Sequence, residues 1–156
     1  MEEREIRDIV SQLESKNSLE REQVWAKLRP LEDAVVPYLL DGYQAMKMYE
    51  GRNACVYYSM RYSRISETAF QLGILALNDR AALVRHHACE LLAYSLKEAA
   101  IPYLEKLLTH KNNKTVADAT AAIDSIKQKN HHFFIDRNHS GQSFLIVNPG
   151  DRDASH

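Results

Sequence analysis

The chain has little that bends or staples a backbone. Its 156 residues include 5 glycines and 4 prolines. That scarcity argues against a turn-rich β-sandwich and for helices. Two cysteines, Cys55 and Cys89, are too few for a disulfide framework and form no Cys-x-x-Cys pair. They read as reduced core thiols. Neither sign of charge dominates: 20 basic residues stand against 21 acidic ones, a net charge of −1. A chain-wide polycation for nucleic acid is thereby excluded. The longest uncharged stretch, 138–150, contains Pro149 and falls short of the roughly 18 apolar residues of a membrane span. The opening Met1-Glu2-Glu3-Arg4-Glu5 has neither the basic start nor the apolar run of a secretory signal. The expectation is a cytoplasmic protein with no membrane contact. Nucleophile elbows, P-loops and glycine-rich dinucleotide turns are missing as well.

What is present is apolar spacing of the helical kind. Ile6, Ile9, Val10 and Leu13 make one stripe over residues 3–14. Ser18 can cap a second helix, carrying Trp25 and Leu28 and ended by Pro30. A third covers about 33–49 with Pro37 in its first turn. Gly51 then breaks the chain before a helix over 52–63 with Cys55, Tyr58 and Tyr62 inward. Ser66, Asp79 and Asn113 can cap helices to about Leu77, over 80–94 (with Leu83, Val84, Ala88, Leu91 and Leu92 inward) and over 114–128. Another covers 97–109. After Asn130 the aromatic and β-branched runs 132–135 and 144–147 flank a polar segment with Ser140-Gly141, the pattern of a small β-hairpin. A lone hairpin is marginal in water, so it must dock, and the expected place is the open end of the last helix pair.

Short helices in pairs suggest a repeat. Val36-Pro37-Tyr38-Leu39 and Ile101-Pro102-Tyr103-Leu104 align 65 apart. Ala54-Cys55 and Ala88-Cys89 align 34 apart, and Val84 and Val116 are 32 apart. A helix–turn–helix unit of 32–34 residues accounts for all three, and such units stack because none covers its apolar face alone. Residues 79–108, with Val84-Arg85 opening one helix and Pro102 early in the next, resemble the HEAT repeat in its short bacterial form. The match is clearest over 79–127, while the 52–77 unit lacks both features. The resemblance implies an all-α fold: a short right-handed HEAT-like α-solenoid, an α-α superhelix over 1–129, with the hairpin of 130–156 packed on it.

Such repeats mostly bind proteins, so the expected function is a non-enzymatic interaction module, an adaptor or the immunity-type inhibitor of a bacterial toxin. No cofactor, metal or catalytic residue is assigned. Between Gly51 and Ser66 there is no acidic residue. Arg52 lies in this stretch, and Tyr57, Arg61 and Arg64 fall at i, i+4, i+7, opposite the core stripe. Tyr and Arg are enriched at binding hot spots. These four residues are the expected contact face for an acidic partner protein. A second basic cluster, Lys106, His110, Lys111 and Lys114, reads as a solvated turn.

The alternative is a HEAT-like enzyme, of metal-dependent hydroxylase or pigment-lyase type, or a HEAT-like nucleic-acid binder. The hydroxylases that these repeats resemble use repeated His-Glu pairs. This chain has no His-Glu dipeptide, although His86 and Glu90, four apart beside His87, share a helix face. His131, His132, Asp136 and His139 crowd the tail without regular ligand spacing and read as polar loop residues.

Overall fold

The computed structural model describes residues 1–153; the last three residues of the tail assigned to 130–156 lie outside it. Eight α-helices follow one another: α1 (Glu3–Ser11), α2 (Ser18–Leu28), α3 (Val36–Ala45), α4 (Tyr49–Ser59), α5 (Glu67–Ala76), α6 (Ala82–Ser95), α7 (Ile101–Glu105) and α8 (Asn113–Lys127). They pack as four successive pairs. α1, α3 and α5 line up in one layer, and α4, α6 and α8 line up in the other. α2 joins the second layer through Trp25, whose ring stacks on Tyr58 at 4.4 Å. α7 closes the array against α8.

Local chemistry explains the boundaries. Ser66 Oγ accepts from the Ala69 amide at 3.1 Å and starts α5. For α2 and α8 the caps are Asn17 and Asn112, each one residue before the expected start, accepting from Glu20 and Thr115. Pro37 and Pro102 sit in the first turns of α3 and α7, where no intrahelical N–H is needed. The helix expected over 97–109 is shorter: 3₁₀ turns at Glu98–Ala100 and Lys106–Thr109 flank α7. Gly51 does not break the chain. It lies in α4, where a Cβ would come within 2.9 Å of Glu14 Cα and 2.8 Å of Met46 Sδ, so its role is to let α4 approach the turn that follows α1.

The core follows the expected stripes closely. Leu13, Leu28, Leu39, Leu72, Leu91, Leu92, Leu104 and Ile126 are fully buried, as are Cys55 and Cys89. Burial pushes the Cys55 thiol up to about 12. Leu83, expected inward, is instead exposed. Beneath the apolar layer Asp79 gathers Arg52 Nε at 2.8 Å, Arg52 Nη2 at 3.1 Å, the Tyr43 hydroxyl at 2.7 Å and the Ala81 amide at 2.9 Å. Both partners of this ion pair are buried, which ties α3, α4 and the start of α6 together.

The C-terminal β-hairpin does not form; no strand occurs among the described residues. Residues His131–Phe134 make one 3₁₀ turn, with Phe134 fully buried. The backbone groups that a hairpin would pair are taken by side chains. Leu145 N donates to His132 Nδ1 at 3.0 Å, and Val147 N and Asn148 N donate to Asp151 Oδ2. Asp136 accepts from Ser140 N and Gly141 N. Nor does this segment simply cover the last pair. It packs on α8 and α6, then runs back to the 3₁₀ turn that follows α4, where Asn148 Nδ2 donates to the Arg61 carbonyl at 2.9 Å. No helix among the described residues is long and apolar enough to cross a membrane.

Candidate metal centre

The layer of α4, α6 and α8 brings residues of successive repeats side by side. His87 on α6 stands beside Asn53 on α4, 34 residues earlier, with its Nδ1 2.6 Å from Asn53 Oδ1. His86 stands beside Asp118 on α8, 32 residues later, with its Nδ1 2.9 Å from Asp118 Oδ2. Amide and carboxylate oxygens only accept, so both Nδ1 atoms carry the proton. That leaves Nε2 of each ring with a free lone pair. Arg137 Nη2 holds the other Asp118 oxygen at 2.8 Å. One turn along α6, Glu90 completes a cluster: a ligand atom from each of His86, His87 and Glu90 lies within 4.8 Å of the others.

The electrostatics suit a cation. Glu90 is 8% exposed and makes no hydrogen bond or ion pair among the described residues. Burial raises its pKa, since an ionised carboxylate loses water there, and the nearby His86 offsets this only in part. Burial, helped by the charge of His86, lowers His87 to about 4, so that ring is neutral at physiological pH. His86 is raised by its bond to Asp118. Burial pushes the Asp118 carboxyl up, but the His86 and Arg137 bonds outweigh it and hold it below the ordinary value. A positive ion would relieve Glu90 and bind at the Nε2 lone pairs of His86 and His87. Ligating histidines are characteristically held by such a carboxylate or amide on their other nitrogen. The donor set thus fits a metal ion.

His87 and Glu90 also line a pocket of about 460 Å³, walled by Trp25, Tyr57, Tyr58 and the extended residues Leu145–Val147. Of the residues expected at a partner surface, Tyr57 is half exposed on this wall and Arg61 lies beside it. The other two do not join them. Arg52 is 5% exposed and committed to Asp79. Arg64 donates to the Tyr94 carbonyl at 2.7 Å and contacts His131 Nδ1 at 2.8 Å. α4 ends at Ser59, so the i, i+4, i+7 face that was to unite Tyr57, Arg61 and Arg64 is interrupted.

The tail residues His131, His132, Asp136 and His139 form no metal cluster. Each has a structural bond instead: His131 with Arg64, His132 with Leu145, Asp136 with Ser140, His139 with Asp124. Sequence reasoning named His86, His87 and Glu90 on one helix but left out Asn53 and Asp118, which orient the two rings. The signal was in the repeat register: aligning Ala54 with Ala88 and Val84 with Val116 also aligns Asn53 with His87 and His86 with Asp118.

Two stacked helical layers with cross-repeat bonds define an all-helical, solenoid-like protein. The sequence matches no family model and no curated protein. A solved structure of human deoxyhypusine hydroxylase in complex with glycerol is similar, with a TM-score of 0.64 at 14% identity, over 94% of this chain and 48% of that one. The chain therefore spans about half the length of that protein, and the likeness establishes the fold. The expectation of a non-enzymatic module, whether adaptor or immunity protein, is corrected here. The similar protein is an enzyme, and three side chains that could hold a metal ion converge in this chain.

Proposed function

We propose that the chain is a HEAT-like metal-dependent enzyme of the hydroxylase type, with a divalent transition-metal ion held by His86, His87 and Glu90. The observation that carries the reading is the oriented donor set: two imidazoles fixed through Nδ1 and one buried, unpartnered carboxylate. Three protein ligands leave coordination positions open, as catalytic sites require and closed structural sites do not. Two histidines with one carboxylate and open positions are the pattern of non-haem ferrous oxygenases. Such an ion would supply oxygen activation; hydroxylating a C–H bond consumes O₂, two electrons from a reductant and two protons, and yields the alcohol and water. This chain's residues orient the ligands, and the aromatic pocket beside Glu90 places the substrate. The 32–34-residue register with its cross-repeat bonds supports the HEAT-like assignment.

Anaerobic loading with ferrous ion, desalting and elemental analysis test it. About one ion should be retained per chain, and His87→Ala and Glu90→Ala should weaken retention at least ~10-fold. Nitric oxide, an oxygen surrogate, should bind the loaded protein and give the paramagnetic signature of an open ferrous site. Retention no greater in the wild type than in the variants would overturn the reading.

A further inference from the structure

Two pockets meet at Arg61. One is the pocket beside Glu90, with Trp25, Tyr57, Tyr58 and Leu145 on its walls. The other, of about 490 Å³, lies among the turns that follow α2 and α4, the end of α6 and the tail, and presents Arg29, Arg61 and Arg64. Arg61 lines both. Its guanidinium makes one side-chain hydrogen bond, from Nη2 to the neutral amide oxygen of Asn148 at 3.2 Å, and no carboxylate pairs with it among the described residues. Arg29 likewise has no ion-pair partner among them. The carboxylate of Asp151, on the same wall, is taken by the Tyr94 hydroxyl and two backbone amides. Glu32 lines the far side of the second pocket but pairs with none of the three arginines. The Tyr62 hydroxyl is buried there without a hydrogen-bond partner in the described chain. An aromatic-walled cavity thus opens onto cations and a donor that the protein leaves unmatched.

We propose that this composite pocket takes a small amphipathic organic anion, its apolar or aromatic body against Trp25, Tyr57 and Tyr58 and its carboxylate on Arg61. The proposal rests on the metal-site reading only in making this anion that site's substrate. The anion's body lies along the wall that carries His87 and Glu90, which puts its C–H bonds beside the ligand cluster, and its carboxylate points away toward Arg61 and Arg29. Guanidinium with carboxylate forms two parallel charge-assisted bonds, stronger than neutral ones and orientation-specific. A cationic head at the Arg61 end would meet guanidiniums without carboxylate partners, so that end of the pocket selects against amines.

Trp25 is the only tryptophan in the chain and sits in the pocket wall, so its fluorescence reports occupancy. Metal-free protein is titrated with phenylpropionate, phenylpropanol and phenylpropylamine, three probes of one shape and different charge. Phenylpropionate should bind at least about tenfold more tightly than the alcohol. Arg61→Ala, checked by circular dichroism, should remove that margin while leaving the alcohol's affinity unchanged. An alcohol or amine that binds wild-type protein as tightly as the acid would overturn the proposal without recourse to the variant. A margin that survives Arg61→Ala would overturn it too. Repeating the titration with one equivalent of zinc separates the two readings. Acid selectivity without zinc uptake would remove the metal site alone, and zinc uptake without acid selectivity would remove the anion pocket alone.

Discussion

His131 shows how much one buried imidazole contributes. It is 3% exposed, accepts the Arg64 guanidinium on Nδ1 and packs its ring edge-on to Tyr94. Burial first, then the neighbouring His132 and Arg64, lower its pKa to about 4. In the unfolded chain it titrates near its ordinary value of about 6.5. Between these values the unfolded chain binds a proton that the folded one refuses, so this group's contribution to stability is lost as pH falls from about 6.5 to about 4. His131→Gln keeps an acceptor for Arg64 and cannot be protonated. Urea unfolding at about pH 6.5 and about pH 4.5 should therefore show a smaller loss of stability on acidification in the variant than in the wild type. Equal losses would contradict this account. His87, also lowered to about 4, adds to the trend in the same direction, while the raised pKa values of His86 and Glu90 oppose it.

The helices are where physical reasoning from sequence succeeded best, because burial on one face imposes the 3.6-residue period directly. Leu39, Leu72, Leu91 and Ile126 all lie where their stripes put them. The failures have local causes. The tail reads as two strands by composition, yet His132, Asp136 and Asp151 supply acceptors for its backbone N–H groups, and strand pairing becomes unnecessary. Gly51 reads as a break, yet it serves contact across a repeat, which composition cannot register. At the site, a single helix places His86, His87 and Glu90 together, but the partners that orient the two rings, Asn53 and Asp118, lie in other repeats, thirty-four residues earlier and thirty-two later. Gly51 gives the test at this scale. Alanine favours a helix by about 1 kcal/mol over glycine, but here its methyl would press on Glu14 backbone, and overpacking costs roughly 1–3 kcal/mol. Gly51→Ala should lower the denaturant midpoint. A raised midpoint would mean that α4 and the turn after α1 can move apart freely.

Across the whole molecule the same layer does two things. Stacking α4, α6 and α8 buries the core, and it also lines up Asn53, His87, His86 and Asp118 as one row of polar partners. The tail then closes the pocket onto which His87 and Glu90 face, with Leu145 in its wall and Phe134 buried in the core. Removing a buried Phe alone costs roughly 3–5 kcal/mol. Truncation after Lys129 should therefore lower Tm and leave the pocket without its Leu145–Val147 wall; an unchanged Tm would show that the tail adds nothing to the core. The central claim is that His86, His87 and Glu90 hold one metal ion. A cobalt(II) titration followed by visible absorption addresses it most directly, because the d–d bands report coordination itself. Wild-type protein should show intense bands that saturate at one equivalent, and His87→Ala and Glu90→Gln should lose affinity at least ~10-fold. Bands that never saturate in the wild type, or that match those of both variants, would contradict it.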